Sequence, residues 1–169
     1  MTDRTIALAG NPNTGKSSIF NALTGARQHV GNWPGKTVVR REGDYVYDGA
    51  EFRVVDLPGT YSITALSPEE ATARDYLLSG EADAVVIVVD AANLERNLYL
   101  AVQILETGIP AVVSLNMVDV AARRDQRVDP DALSQHLGVP VVPTVARSDD
   151  GIAELRDAVA RLDIRAGAA

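Results

Sequence analysis

The chain has 169 residues, 46% apolar and 23% charged, with a net charge of -7. That length and balance suit one globular domain with a sizeable core and exclude a chain dominated by disorder. An acidic chain repels phosphate backbones, so no nucleic acid partner is expected. The absence of cysteine excludes disulfides, thiolate metal sites and cysteine nucleophiles.

The segment MTDRTIALAG carries an acid and only a short apolar run, so it is not read as a signal peptide; it predicts a first strand ending at Gly10. KSSIFNALTG sets Ile19, Phe20 and Leu23 on one helical face and stops at Gly25. HVGNWPGKTVV, rich in glycine, reads as a loop. YVYDGAEFRVVD reads as a hairpin turning at Asp48-Gly49. SPEEATARDYLLSG starts a helix at Ser67, with Pro68 first and two acids in the opening turn. AVVIVVD is continuously apolar, as in a strand buried on both faces, and is far shorter than the ~20 residues of a membrane helix. NLERNLYLAVQILETG is an amphipathic helix expected to be capped by Asn93 and ended by Gly108. PAVVSLN and PVVPTVA are two more buried strands, and DDGIAELRDAVARL is a last helix. The two histidines, His29 and His136, have no metal-ligand spacing and read as surface residues.

This alternation predicts an α/β fold: a mostly parallel six-stranded sheet with one antiparallel edge strand and helices on both faces. Residues 1–165 are expected to form the domain, with 166–169 a tail leading into a following region. Ligands of such sheets bind at the carboxyl ends of the strands, so the chemistry belongs just after each one.

Gly10, Asn11, Pro12, Asn13, Thr14, Gly15, Lys16 and Ser17 fit G-x-x-x-x-G-K-[ST] between a strand and a helix. The glycines let backbone N–H groups curl around phosphate, Lys16 reaches the β- and γ-phosphates, and Ser17 ligates Mg²⁺. Ser18 reads as a helix residue bordering the nucleotide. Asp56 and Gly59 frame D-x-x-G in DLPG: Asp56 would hold Mg²⁺ through a water, and the Gly59 N–H would meet the γ-phosphate. In the loop before it, Thr37 is the choice for a further Mg²⁺ ligand. NMVD places Asp119 to accept from N1 and N2 of guanine, a donor pair adenine lacks. Asn116 would brace the phosphate loop, and the Met117 stem would pack on the base. Val145 and Ala146 stand where a backbone N–H should meet guanine O6; Val145 replaces a usual serine, which suggests a looser pocket. Trp33, the only tryptophan, sits in the same polar loop as Thr37, either as a partly buried anchor or as a residue of the binding site. Arg40 and Arg41 read as solvated strand residues, and Glu69 and Glu70 as helix-dipole partners.

Together GNPNTGKSSIFNALTG, VGNWPGKTVVRREG, DLPGTYS, SPEEATARDYL, NLERNLYL and LNMVDVA closely resemble the N-terminal GTPase domain of the ferrous iron transport protein B family, over roughly residues 4 to 160. The resemblance implies a P-loop NTPase of Ras-like G-domain type that binds GTP and GDP with Mg²⁺. It also implies a following helical domain, a membrane domain that moves Fe²⁺, and small accessory iron-transport proteins as partners. The implied location is cytoplasmic, at the inner face of the bacterial inner membrane. Family members are K⁺-activated, which assigns the Asn13 side-chain oxygen to K⁺, with carbonyls near Gly31 and Trp33 completing the cage. Hydrolysis would rest on Asn13, Lys16, Thr37 and Gly59, since Thr60 and Tyr61 stand where Ras-like switches carry a water-orienting glutamine. Three other readings compete. One is a ribosome-assembly GTPase, opposed by Met117, the acidic charge and GNWPG. Another is a nucleotide-gated module in which slow hydrolysis serves as a timer. The third, an ATP-using kinase with a phosphate loop, is disfavoured by Asp119.

Overall fold

A computed structural model describes residues 3–164; the expected tail at 166–169 lies outside the described residues. The described residues form seven strands: β1 (Arg4–Gly10), β2 (Gln28–Asn32), β3 (Val39–Tyr47), β4 (Ala50–Asp56), β5 (Ala84–Asp90), β6 (Ala111–Asn116) and β7 (Val141–Pro143). The order across the sheet is β2-β3-β4-β1-β5-β6-β7. Strands β4, β1, β5, β6 and β7 run parallel, while β3 is antiparallel to both β4 and β2.

The expected six strands with one antiparallel partner therefore become seven with two antiparallel ladders. The addition is β2, in the stretch read as a loop. All but its first residue are exposed, so it lacks the apolar alternation that marks a strand in sequence. Main-chain pairing with β3 holds it, with Gly31 opposite Arg40 and Asn32 opposite Val39. The hairpin at Asp48-Gly49 forms as expected, with both φ angles positive (49° and 78°), the backbone a two-residue turn between twisted strands demands.

Among the described residues six α-helices cover the sheet: α1 (Lys16–Thr24), α2 (Pro68–Ser79), α3 (Leu94–Glu106), α4 (Val118–Arg123), α5 (Pro130–Leu137) and α6 (Ile152–Ala160). Alternate residues of the central strands feed two cores. Ala7, Val85, Ile87 and Val89 pack with Tyr76, Leu77, Leu100 and Ile104 from α2 and α3. Ile6, Leu8, Val86 and Val88 pack with Ile19, Phe20 and Leu23 from α1 and with Leu155 and Val159 from α6. A β-strand's two-residue period makes this division, and a strand buried on both faces must then be apolar throughout.

Helices α4 and α5 are absent from the elements predicted above. The first has six residues and buries only Ala121. The second does carry end signals, with Asp129 accepting from the Asp131 and Ala132 N–H groups, Pro130 in its first turn and Gly138 past its end. It buries only Leu133 fully, so its apolar stripe is faint. Asn93 precedes α3 but its side chain does not cap it. It donates instead to Asp90 Oδ2 (2.8 Å), while Asp90 Oδ1 caps the short 3₁₀ turn Ala91–Asn93 by accepting from Ala92. Asn97 fastens this corner by donating to the Asn93 carbonyl (2.8 Å).

Candidate functional site

The carboxyl ends of β1, β4, β5 and β6 lie side by side, and the residues that follow them converge. Gly10 closes β1, and the chain loops through residues 11–15 before α1 begins at Lys16. A Cβ on Gly10 would lie 2.7 Å from the Val88 carbonyl oxygen. Gly15 has φ +82°, and a Cβ there would stand 2.3 Å from Asn116 Nδ2. Neither position admits a side chain: Gly10 lies against the β5 backbone and Gly15 against the Asn116 side-chain amide. The first turn of α1 carries no acid, which leaves its positive end free for an anion.

Asn11, Pro12, Asn13, Gly15, Lys16, Ser17 and Gly59 line a cavity of about 350 Å³. Gly59 reaches it because Leu57 N–H donates to the Leu8 carbonyl and Thr60 N–H to the Gly10 carbonyl, laying DLPG against the phosphate loop. Asn13 sits at φ +65°, in the left-handed region that asparagine tolerates. Asn11 Oδ1 is buried without a hydrogen-bond partner among the described residues.

Lys16 Nζ donates to Asp56 Oδ1 and to the Leu57 carbonyl (2.8 Å). Burial raises the Asp56 carboxyl above its ordinary value, against the pull of Lys16 and Arg41. Removal from water thus outweighs the neighbouring cations, as a buried carboxylate requires.

A second, smaller cavity of about 90 Å³ opens beside the first, bounded by Gly15, Ser18, Asn116, Met117, Asp119, Val120 and Val145–Arg147. Gly15 borders both cavities, and Asn116 lines the smaller one. Its Nδ2 donates to the Thr14 carbonyl (2.9 Å), and its Oδ1 accepts from Thr144 Oγ1 (3.1 Å) and the Ala146 N–H (3.2 Å). Thr144 also shares a hydrogen bond with Ser114 (2.8 Å). One buried amide thereby ties the loop after β1 to the loop after β7. Met117 adopts φ +61°, and its methyl lies 3.4 Å from the Cβ position of Gly15. Asp119 is loosely paired with Arg123 at 3.6 Å.

The family model described as ferrous iron transport protein B matches residues 4–159. The chain belongs to the ferrous iron transport protein B family. The Fe(2+) transporter FeoB of Salmonella typhimurium is 53% identical over 165 residues, which is 95% of this chain and 21% of that protein. The chain thus spans about a fifth of that relative. The crystal structure of the FeoB G domain of T. maritima superposes with a TM-score of 0.88 at 44% identity, covering 93% of this chain and 96% of the other. The GDP form of the T. maritima FeoB cytosolic domain gives 0.89 at 45% identity, covering 92% and 61%. The fold is that of a P-loop NTPase, and it suits guanine nucleotide binding. No described helix is long and apolar enough to cross a membrane.

Set against the family expectation, the site falls into two parts. Residues 10–18, Asp56, Gly59, Asn116, Met117, Asp119, Val145 and Ala146 are brought together. Thr37, Gly31 and Trp33 are not among the residues lining either cavity. Thr37 and Gly31 are exposed, and Gly31 lies in the β2–β3 ladder. Trp33 is 6% exposed and packs edge-on against Tyr76 with ring centres 5.3 Å apart, so its side chain is a core anchor. Its carbonyl accepts from the Lys36 N–H (2.9 Å).

Arg40 corrects the expectation of a solvated residue. Its guanidinium lies 4.4 Å from the Trp33 ring centre and pairs with Glu42 (2.6 Å). Glu70 closes a local loop by accepting from the Leu66 N–H (2.9 Å), while Ser67 Oγ accepts from the Glu70 N–H (3.1 Å). Its role is capping, in line with the helix-end reading. His29 and His136 are exposed. The hydroxyls of Ser114 in β6 and Thr144 just after β7 escaped the sequence reading because each lies in a run read as a buried strand, where a hydroxyl residue looks like an ordinary β-former.

Proposed function

We propose that this domain binds GTP with Mg²⁺, hydrolyses it to GDP and phosphate, and through its nucleotide state controls ferrous iron movement in a longer membrane transporter. In that transporter it would sit on the cytoplasmic face of the inner membrane, joined to helical and membrane-spanning domains, with small accessory proteins as further partners. The observation that carries the reading is the pair of adjoining cavities that share Gly15 as a border. One offers glycine-rich backbone, Lys16 and a helix start to phosphates; the other offers Asp119 to a base bearing two adjacent donors.

Ser17 and Asp56 supply the hard oxygens that suit Mg²⁺, which when bound neutralises charge on the phosphates. Thr37 would complete that set by moving with its loop. Lys16 would exchange Asp56 for phosphate oxygens as nucleotide enters. Asn13 faces the phosphate cavity and offers an amide oxygen to K⁺, which would stand where no arginine finger is available. Backbone groups of Thr37 and Gly59 are the proposed holders of the attacking water. The Ala146 N–H, shared with Asn116 at 3.2 Å, would also serve guanine O6.

The test is GTP turnover measured in KCl and in NaCl. The native domain should turn over faster in KCl, and Asn13→Ala should abolish the difference while still binding a fluorescent GDP. Equal native rates in the two salts would remove the K⁺ assignment. Binding of GDP without any release of phosphate from GTP would remove the enzymatic reading and leave a binding module.

A further inference from the structure

The segment that joins β2 to β3, residues 33–38, is fastened at several points, within itself and to helix α2. Its base is closed by the Trp33 N–H donating to the Val38 carbonyl (2.9 Å) and by the Lys36 N–H donating to the Trp33 carbonyl (2.9 Å). The Trp33 ring lies against Tyr76 of α2 and beneath the Arg40 guanidinium, which also lies 5.6 Å from the Tyr76 ring centre. At the tip, Lys36 Nζ donates to Thr72 Oγ1 of α2 (3.0 Å). Thr72 is itself buried and fixed, donating to the Pro68 carbonyl (2.7 Å).

These contacts hold the segment in a defined place, yet Thr37 is exposed there. Thr37 is four residues beyond Trp33, a reach of about 13 Å for extended chain. The anchorage also has a flaw. The Trp33 Nε1–H is buried with no hydrogen-bond partner among the described residues. A buried donor left without an acceptor disfavours the state that buries it. The seat is therefore specific and weak at once, which is what a releasable contact requires.

We propose that Thr72 and Tyr76 of α2, with Arg40, form a parking place for segment 33–38, and that Lys36 and Arg40 are positioning residues that set the preference for a nucleoside triphosphate over a diphosphate. The proposal rests on the GTP-binding reading above. A triphosphate recruits Thr37 toward its terminal phosphate and metal, so it binds only the fraction of molecules whose segment has left α2. A diphosphate has no terminal phosphate to cover and binds parked and released forms alike. Apparent affinity scales with the competent fraction, so loosening the seat tightens triphosphate binding alone. Because α2 follows the DLPG segment in the chain, the seat also links the two stretches expected to sense the terminal phosphate.

Trp33 is the one tryptophan in the chain, so its emission reports the seat directly. The experiment measures affinities for GDP and for a non-hydrolysable GTP analogue, with Mg²⁺, in the native protein and in Lys36→Met and Arg40→Met. Acrylamide quenching of Trp33 is read in each state. The ratio of GDP to analogue dissociation constants should rise about fivefold in either variant, with GDP affinity unchanged. Native Trp33 should become more quenchable with the analogue than with GDP. Lys36→Met alters only an exposed side chain, so it remains informative if Arg40→Met folds poorly. An unchanged ratio with GDP binding intact, or equal shielding of Trp33 by both nucleotides, would overturn the parking place. Failure of the native chain to bind either nucleotide would instead overturn the reading on which it rests.

Discussion

At the scale of single residues, the contact between Lys16 and Asp56 sets a condition on ligand entry. Lys16 holds Asp56 here, and on the proposed reading that contact loosens as phosphate arrives. Asp56→Asn removes the carboxylate that draws Lys16 away and also removes a negative charge near the phosphates. With EDTA present, this variant should bind GDP several-fold more tightly than the native chain, the scale of about 1 kcal/mol for one charged hydrogen bond in a partly wet site. With Mg²⁺ present, the native chain should gain affinity and the variant should gain little. Titration of a fluorescent GDP in both buffers decides it; equal affinities in EDTA would mean that the contact imposes no cost. Gly15 is a second residue of this kind. Its φ is positive and a Cβ there would run into the Asn116 side-chain amide, so Gly15→Ala must displace the amide that ties the loops after β1 and β7 together.

At the scale of elements, helix α2 depends on a reciprocal start. Ser67 Oγ accepts from Glu70 N–H, and Glu70 reaches back to the Leu66 N–H. Ser67→Ala should cost about 1 kcal/mol of stability, read from the urea midpoint of unfolding at unchanged slope. A loss below a few tenths would show that tertiary packing of Tyr76 and Leu77, not the cap, sets where α2 begins. The same helix shows what a sequence discloses. Ser67, Pro68 and the Glu pair made its start legible because caps act through residues a few positions apart. The phosphate loop was legible for the same reason: its glycines, lysine and serine are contiguous. Strand β2 was not, since backbone pairing holds it and leaves its side chains exposed. The Trp33 seat was not either, because Arg40 and Tyr76 come to that ring from a strand and a helix well apart in the chain. Ser114 in β6 and Thr144 just after β7, which complete the Asn116 network, were hidden by their resemblance to plain β-formers.

At the scale of the molecule, nucleotide and fold share one free energy. Residues from the loops after β1, β4, β6 and β7 meet at the two cavities, so a ligand there binds the folded chain alone. GDP with Mg²⁺ at 100 times its dissociation constant should add about 2.7 kcal/mol. For a chain of this size that is a rise of about 5–10 °C in Tm by calorimetry. ADP at equal concentration should do far less; an equal rise with ADP would remove the role given to Asp119. The fold class, the two covered faces and the buried central strands were readable at this scale because a two-residue period and continuous apolar runs mark them.

The antiparallel wing has one more consequence, in the order of assembly. Strands β3 and β4 are joined by two residues, and β2 and β3 by the short segment 33–38. Each is a hairpin between chain neighbours, a unit that forms in about 1–10 μs. The parallel pairs must first close loops across whole helices, which is slower. The β2–β3 hairpin can also open at its rim without parting β1 from β4 or β5, since β2 touches only β3 in the sheet. Peeling of that outer strand should therefore appear in hydrogen exchange as the least protected β structure in the domain, while the strands that carry the phosphate loop exchange only on global unfolding.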